Sequence, residues 1–390
     1  MDKTILILGA GIYQVPLIKK AKSMGLKVVV CSIPGHYPGF QFADNVYYVN
    51  TKDKDACLAV AINERIAGVC TCGTDVALPS LGYINDKLGL FGPGEKAALL
   101  SSDKALMKDA FLANDVNTAR YCIVCNLEEC IAAVEKIGYP CILKITDSSG
   151  SRGMEVVRDR YSIPAAYNSV ISNTSRSQIV VEEYLQGVEY GAQAFIDKGE
   201  VQFIMPHTDE VYMSDVGVPV AHNVPAILPS ISDTIEESMK AIRSLNIDNC
   251  AVNLDFIYAK GKTYVLEVGA RSGATGLAEL VSIYYGVDYY KMVIETALGI
   301  YDSKSYDFTP KQSATSLLIT SEHGGTIKSY CPLIDQSIVE FSLDYGIGDK
   351  VPAFKKGPDR LGHIIVKGSS QPETNSIAHQ LVNNLHLEVE

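Results

Sequence analysis

The chain has 390 residues, of which 47% are hydrophobic and 20% are charged, the balance of a globular protein and not of a disordered or fibrous one. Its length predicts about two to three structural units. The 34 basic and 45 acidic residues give a net charge of −11, which repels nucleic acid and anionic membrane surfaces. We therefore expect neither as a partner, and an anionic ligand must be held by a local cluster of cations.

The cysteines indicate the compartment. Ten are present, most of them inside apolar runs such as Tyr139-Pro140-Cys141-Ile142, a pattern typical of buried thiols in a reducing environment. Cys122 and Cys125 have the spacing of half a zinc site, but no second pair completes it. No apolar run reaches the length of a membrane span. We expect a cytoplasmic protein.

The chain opens with an apolar run at 4–8, then Gly9-Ala10-Gly11, a helical pattern up to Met24 and a second apolar run at 28–31. This order predicts a βαβ unit with a parallel sheet. The GxGxxG motif of dinucleotide-binding proteins is incomplete, because Gln14 replaces its third glycine. The second strand also ends without the carboxylate that would bind a ribose hydroxyl. An NAD-dependent oxidoreductase is therefore a disfavoured alternative. A strand at 68–72 and a loop at 90–94 close this unit near residue 95.

From Ser101 onward the pattern alternates between strands and helices. Ser101 or Ser102 is expected to cap a helix over 103–112, and Asp233 to open a helix over 234–245. A last helix is predicted over 376–385, within a tail of short strands and glycine-rich turns that begins near 305. The strands are predicted at 121–124, 141–144, 154–157 and 179–183, within 189–228, and at 251–258 and 262–268.

The segment around Lys144 carries the first candidate chemistry. Lys144 ends a buried strand and faces the polar, glycine-containing loop 146–153. One cation and several backbone N–H groups placed in this way can surround a polyphosphate. The segment is not a Walker A loop, since the lysine precedes the glycines. An exposed hairpin with a lysine at its foot is the structural alternative at this point.

A predicted hairpin carries two carboxylates, Asp255 and Glu267, on strands joined by the Lys260-Gly261 turn. Both side chains can face one side of the hairpin a few ångströms apart. Carboxylates so placed repel each other unless a cation lies between them, and Mg²⁺ bound to ATP phosphates meets that need. Arg271 follows and can supply a planar cation to an oxyanion or a transferring phosphoryl group. Two surface acids and an ordinary arginine are the alternative.

In order along the chain, these motifs resemble the ATP-grasp superfamily, with its L-amino acid ligase-like and biotin carboxylase-like members. The match covers residues 4 to 300 and includes Ser102-Asp103-Lys104, GYPCILK with its loop, VVEEYL and the carboxylate hairpin. The resemblance implies an α/β fold of three units. These are a Rossmann-like pre-ATP-grasp domain (1–100), an ATP-grasp domain (101–304) of two α+β subdomains with a mobile lid at about 119–187, and a small α+β domain (305–390).

The same resemblance assigns roles to individual residues. Lys104 and Lys144 would contact ATP, and residues 147–153, including Ser148, Ser149, Gly150, Ser151 and Gly153, would form the phosphate lid. Glu182, Glu183, Tyr184, Leu185 and Glu189 would hold adenine and ribose. Asp255 and Glu267 would bind two Mg²⁺ ions, for which Mn²⁺ can substitute. Arg271 and Lys144 would be catalytic, with Arg271 contacting the acyl phosphate.

The chain also departs from the family pattern. The Glu-x-Asn-x-Arg sequence of many relatives reads Glu267-Val-Gly269-Ala-Arg271 here, so a metal-side ligand is missing. Carboxylating members place a glutamate four residues after that arginine, where this chain has Thr275. The tail looks like the C-terminal domain of L-amino acid ligase-type members.

The activity implied is ATP-dependent joining of a small carboxylic acid to an amine through an acyl phosphate, with release of ADP and phosphate. Amino acids can serve as both substrates. His207 and His222 are candidates for the substrate pocket, although a single histidine is more often structural. The alternatives are a carboxylase that forms carboxyphosphate and a nucleotide-binding regulator without turnover. A homodimer is expected from the resemblance.

Overall fold

A computed structural model describes residues 3–147, 153–212 and 217–390 of the chain. The first unit is a four-stranded parallel sheet in the order β3-β2-β1-β4 with helices against it. Strand β1 is buried along its whole length, as expected of a parallel strand covered on both faces. The elements are β1 (Thr4–Leu8), α1 (Val15–Ser23), β2 (Lys27–Ser32), β3 (Asn45–Tyr48), α2 (Lys54–Glu64), β4 (Gly68–Cys70), α3 (Leu78–Leu88) and α4 (Glu95–Leu100).

A small antiparallel sheet follows, in the order β5-β8-β6-β7. Helices α6 and α7 bury their apolar faces on it. It occupies the segment where the sequence predicts the lid. Its elements, with the helix that precedes them, are α5 (Lys104–Ala113), β5 (Tyr121–Val124), α6 (Leu127–Ile137), β6 (Cys141–Ile145), β7 (Met154–Val157), α7 (Ile163–Ile171) and β8 (Ile179–Glu183).

The remaining chain forms a large antiparallel sheet in the order β13-β12-β9-β10-β11-β14-β18-β16, with a three-stranded sheet β17-β15-β19 beside it. The first part contains β9 (Val188–Asp197), β10 (Glu200–Tyr212), β11 (Val218–Val224), α8 (Ile231–Ser244), β12 (Cys250–Ala259), β13 (Lys262–Gly269), α9 (Leu277–Tyr285) and α10 (Tyr289–Ala297). The second contains β14 (Ser313–Ile319), β15 (Gly325–Ser329), β16 (Ile338–Leu343), β17 (Lys350–Val351), β18 (Gly362–Gly368), α11 (Gln371–Asn384) and β19 (Glu388–Val389). The large sheet is thus continuous across residue 304, and domain boundaries at 100 and 304 stay predictions.

The predicted βαβ opening and the carboxylate hairpin are both present, but three predicted helix starts were wrong. Asp103 caps α5, because its carboxylate accepts the N–H groups of Ala105 and Leu106 at 3.0 and 3.2 Å. Ser230 caps α8, whose first turn contains Asp233. The last helix begins five residues earlier than predicted, at Gln371. In each case the sequence pattern predicts the helix correctly but places its start at the wrong polar residue.

Candidate active site

The carboxylates of the β12–β13 hairpin face each other. Asp255 pairs directly with Glu267 across the two strands, which puts both side chains on one face of the sheet. Burial and the Glu267 charge raise the pKa of Asp255 to about 7. The Lys104 ammonium lies 2.6 Å from Glu267 Oε1 and offsets part of this charge. Two carboxylates that repel each other at this distance could hold a divalent cation such as Mg²⁺, which would offset the repulsion.

Arg271 follows the hairpin at the start of the loop that leads into α9. Its Nη2 donates to Asp75 Oδ2 at 2.7 Å, and both side chains are almost fully buried. Asp75 belongs to the turn after β4, so this ion pair connects the parallel sheet to the β12–β13 hairpin. The sequence gives no sign of the pairing, because 196 residues separate the two. Arg271 also lies close enough to Asp255 to lower that residue's pKa.

Lys144 belongs to a buried ion network at the base of the small sheet. Glu182 is 1% exposed, with Oε2 3.0 Å from Lys144 Nζ and Oε1 2.8 Å from Lys108 Nζ. Burial alone would raise the pKa of Glu182, but the two ammonium groups lower it to about 2. Lys108 also donates to Thr118 Oγ1 at 2.5 Å. Sequence reasoning missed Lys108, although it lies one helical turn after Lys104 and hence on the same face of α5.

The other residues predicted for the nucleotide lie around the end of β8. Glu183 is held by Arg120, 3.0 Å away, and by Lys260. Leu185 is buried, and the backbone N–H of Tyr184 donates to Pro140 O at 3.3 Å. The carboxylates of Glu182 and Glu183 therefore both form ion pairs with cations of the protein. An adenine at this strand end would hydrogen-bond to backbone groups and not to these two side chains.

Glu189 is the second residue of β9, at the end of that strand nearest the small sheet in the chain. Burial raises the pKa of Glu189, while the Lys144 ammonium lowers it and Asp209 raises it further. Glu189 is thus close to both the lysine network and the large-sheet site. Gly153 accepts the N–H of Ile145 at 3.1 Å, where the chain re-enters β7. The remaining predicted lid residues, Ser148, Ser149, Gly150 and Ser151, lie outside the described residues.

Both candidate histidines share one carboxylate. The Nδ1 atoms of His207 and His222 lie 2.7 and 2.6 Å from Asp209 Oδ1, and all three side chains are buried. Donation from each Nδ1–H to Asp209 leaves both Nε2 atoms as acceptors. His207 Nε2 is buried without a hydrogen-bond partner. Sequence reasoning named the histidines but missed Asp209.

Strand register connects this histidine cluster to the β12–β13 hairpin. Glu267, Asp255, Gly191 and His207 are successive partners across β13, β12, β9 and β10. Directly paired residues point to the same face, so the four form one row. Gly191 leaves the space that the His207 ring occupies, since a methyl group there would overlap the ring. The histidine ring therefore lies over Gly191, on the side of the row that leads to Asp255 and Glu267.

A chain of three hydrogen bonds leads from the loop after β13 to the Asp255 carboxylate. The Gly273 N–H donates to Gln193 Oε1 at 2.8 Å, and Gln193 Nε2 donates to Asn253 Oδ1 at 2.7 Å. Asn253 Nδ2 then donates to Asp255 Oδ1 at 3.1 Å. Asn253 pairs directly with Gly269, the position where many relatives carry the missing asparagine. An amide group is thus present on this face, but it comes from the neighbouring strand and orients the carboxylate.

Comparison with known families agrees with this arrangement. The model of the carbamoyl-phosphate synthase L chain ATP-binding domain matches residues 103–302, and the model of the L-amino acid ligase C-terminal domain 2 matches residues 319–390. The chain belongs to the ATP-grasp family of carboxylate–amine ligases. It is therefore an ATP-binding enzyme of the ligase class, as the sequence motifs predict.

Individual relatives support the same assignment. The structure of phosphoribosylglycinamide synthetase from Anaerococcus prevotii is 34% identical and covers 100% of both chains with a TM-score of 0.82. L-amino acid ligase from Bacillus licheniformis is 20% identical over 100% of this chain and 99% of its own, with a TM-score of 0.84, and shares the fold. The formate-dependent phosphoribosylglycinamide formyltransferase of Pyrococcus furiosus is 25% identical over 76% of this ATP-grasp chain and 71% of its own.

The helices also bear on membrane proteins as a class. In the described part of this ATP-grasp ligase, none has the length and apolar character that a bilayer-spanning segment needs.

Proposed function

We propose that the enzyme joins a small carboxylic acid to an amine through an acyl phosphate, releasing ADP and phosphate. The observation that carries the proposal is the Asp255–Glu267 pair, with Lys104 at 2.6 Å from one carboxylate and Arg271 beside the other. Opposed carboxylates with cations at their edge suit the triphosphate of a metal-bound nucleotide. Relatives named as ligases and formyltransferases support carboxylate activation as the first step.

In the proposed first step, the substrate carboxylate attacks the γ-phosphorus of ATP and ADP leaves. Lys144 and Arg271 offset the charge that develops on the transferring phosphoryl group. The amine then attacks the acyl carbon, its surplus proton is removed, and phosphate is expelled as the amide forms. We assign His207 and His222 to the substrate side of this site, because their unprotonated Nε2 atoms can accept a proton or a hydrogen bond there.

Asp255 and Glu267 are the residues that would hold Mg²⁺, in two ions according to the family resemblance, and Mn²⁺ could replace it. When bound, the metal would supply positive charge that offsets the charge of the nucleotide phosphates. The Lys104–Glu267 contact places a protein cation beside a metal ligand. We expect Lys104 to move from Glu267 to a phosphate oxygen when the nucleotide binds. The carboxylates are then free to take their ligand.

The proposal also covers the location and the assembly of the enzyme. A cytoplasmic location is supported by the ten cysteines, all of which are free thiols. A homodimer is supported by the family resemblance alone, and analytical ultracentrifugation checks it.

The test is a screen for ADP and phosphate release with Mg-ATP and small acids and amines, singly and in pairs. We expect turnover that depends on two substrates and is lost in Glu267→Gln. Glu200→Gln, an exposed position at the start of β10, is the matched control and should keep full activity. Turnover with bicarbonate as the only acid would instead support the carboxylase alternative. ATP binding without turnover on any pair would support a regulator.

A further inference from the structure

A cluster of metal-ligating side chains lies apart from the β12–β13 hairpin and consists of His207, Asp209 and His222. His207 and Asp209 alternate along β10 and therefore face the same side of the large sheet, where His222 of β11 is the direct cross-strand partner of Asp209. Each residue has a ligand atom within 4.8 Å of those of the other two. Among the described residues, no other three His, Cys, Asp or Glu side chains converge in this way. Both strands are internal to the sheet, which holds the three positions together.

The cluster offers the ligands of a transition metal in a place shielded from water. The side-chain exposure is 1% for His207, 7% for Asp209 and 5% for His222. Two imidazole nitrogens and one carboxylate oxygen, with water in the fourth position, form a tetrahedral Zn²⁺ site, whereas Mg²⁺ prefers oxygen ligands alone. The Nδ1–Oδ1 contacts of 2.7 and 2.6 Å would open to about 3.3 Å around a tetrahedral Zn²⁺ ion. Small side-chain rotations achieve this change.

The charge of the cluster also favours a cation. Burial raises the pKa of Asp209, but the two imidazoles more than offset this rise and lower the pKa below its usual range. In the part of the chain that the structure describes, the ion pairs of Asp209 are with these two histidines alone. Burial raises the pKa of Asp255 and of Glu189, and the Asp209 charge adds to the rise in each. The three carboxylates therefore act on one another, and a divalent cation at Asp209 would offset their repulsion.

The surroundings of the His207 ring suit a metal-bound imidazole. Its Nε2 atom is buried without a hydrogen-bond partner. The backbone oxygen of Leu254 borders the same space above Gly191, where a methyl group would lie 2.6 Å from Nε2 and 2.9 Å from that oxygen. An imidazole that ligates through Nδ1 carries its proton on Nε2 and usually donates it to a carbonyl or carboxylate oxygen. The unpartnered Nε2 atom therefore fits the metal-bound tautomer.

We propose that His207, Asp209 and His222 bind one Zn²⁺ ion, or a chemically similar transition-metal ion, at a site separate from the β12–β13 hairpin. Both imidazoles ligate through Nδ1 and the carboxylate through one oxygen. The protons that the Nδ1 atoms carry in the metal-free cluster move to Nε2, so the imidazoles stay neutral and both Nε2 atoms become donors. One consequence rests on the proposed ligase function: the zinc-loaded cluster cannot accept the amine proton, so Zn²⁺ should inhibit turnover.

Titration of the full chain with CoCl₂ at pH 7.5, without nucleotide, tests the site. Co²⁺ takes ligands similar to those of Zn²⁺, and its tetrahedral complexes absorb visible light strongly. The titration is done on the variant Cys125→Ser/Cys331→Ser, because these two thiols are exposed and can bind Co²⁺ themselves. We expect one Co²⁺ per chain with visible absorption, displaced by Zn²⁺ and retained in a large excess of Mg²⁺.

Asp209→Asn and His222→Ala should each remove the absorption. Each should also weaken Zn²⁺ binding at least about a hundredfold, since the loss of even an outer-shell partner costs about 10–100-fold. His379→Ala is the matched control, because it removes another imidazole in contact with a carboxylate, 2.8 Å from Glu210 Oε2, and should leave the absorption unchanged. Glu267→Gln should retain it as well, because the hairpin is a separate site. The melting temperature of each metal-free variant checks folding.

Three results would each overturn the inference: no visible absorption with Co²⁺, absorption that survives both Asp209→Asn and His222→Ala, or absorption that is lost in Glu267→Gln. Inhibition by Zn²⁺ connects the site to the ligase proposal, and turnover that Zn²⁺ leaves unchanged would contradict that consequence. If Co²⁺ binds as expected but no pair of substrates supports turnover, the ligase proposal fails and the metal site stands. Turnover without Co²⁺ binding gives the reverse result.

Discussion

The buried network of Lys108, Glu182 and Lys144 gives a sharp prediction for the variant Lys108→Met. Lys108 is 2% exposed and Glu182 is 1% exposed, so neither charge can be solvated in place when the other is removed. The substitution keeps an apolar stem of similar length but removes the ammonium that contacts Glu182 at 2.8 Å and Thr118 at 2.5 Å. Glu182 then has Lys144 as its remaining cation, 3.0 Å away.

Removing one partner of a buried ion pair costs about 3–5 kcal/mol. Since Lys144 remains, we expect a loss of about 3 kcal/mol, the lower end of that range, in the free energy of unfolding. Glu182→Gln should cost a similar amount, because it leaves two ammonium groups side by side. The double variant should lose less than the sum of the two single losses, because the unpaired carboxylate is no longer present.

Urea denaturation at pH 7, compared with the exposed control Lys136→Met on α6, measures these differences. The control should remain within about 0.5 kcal/mol of wild type. A Lys108→Met variant as stable as the control would refute the reasoning. So would additive losses in the double variant, which would mean that the two side chains act independently.

Two other predictions concern the β12–β13 hairpin. The variant Asn253→Ala removes the amide that donates a hydrogen bond to Asp255. We expect the Mg²⁺ concentration for half-maximal activity to rise about tenfold, because the carboxylate is no longer held in place. An unchanged Mg²⁺ titration would contradict this role. Because the pKa of Asp255 is raised from 3.8 to about 7, its favourable contribution is complete below pH 3.8 and is lost as the pH rises to about 7. Metal-free Asp255→Asn should therefore gain stability over wild type between pH 4.5 and pH 7.5, by about 3 kcal/mol. Urea denaturation with Glu200→Gln as control measures this gain, and a difference independent of pH would contradict it.

The parts of this enzyme that the sequence could predict are those that depend on local pattern. The Asp255–Glu267 pairing follows from two strands joined by a short turn, and their register makes the two residues direct partners. The parallel sheet and the glycine turn after β1 were predictable from the order of an apolar run, two glycines, a helical pattern and a second apolar run at the N-terminus.

The parts that could not be predicted depend on contacts between distant segments. Asp75 and Arg271 form an ion pair although 196 positions separate them in the sequence, and Lys108 and Glu182 do so at a separation of 74. No periodicity encodes such pairs, because the fold alone brings the elements together. A cavity of about 420 Å³ likewise combines residues between positions 12 and 42 with residues between positions 340 and 363.

Transfer of an isotope from the carboxylate tests the central claim most directly. The carboxylic acid that supports turnover is labelled with ¹⁸O in its carboxylate, and the released phosphate is examined by mass spectrometry. Attack of the carboxylate on the γ-phosphorus predicts one ¹⁸O atom in the phosphate for each amide formed, together with ADP. Unlabelled phosphate, or release of AMP and pyrophosphate, would contradict the acyl-phosphate mechanism.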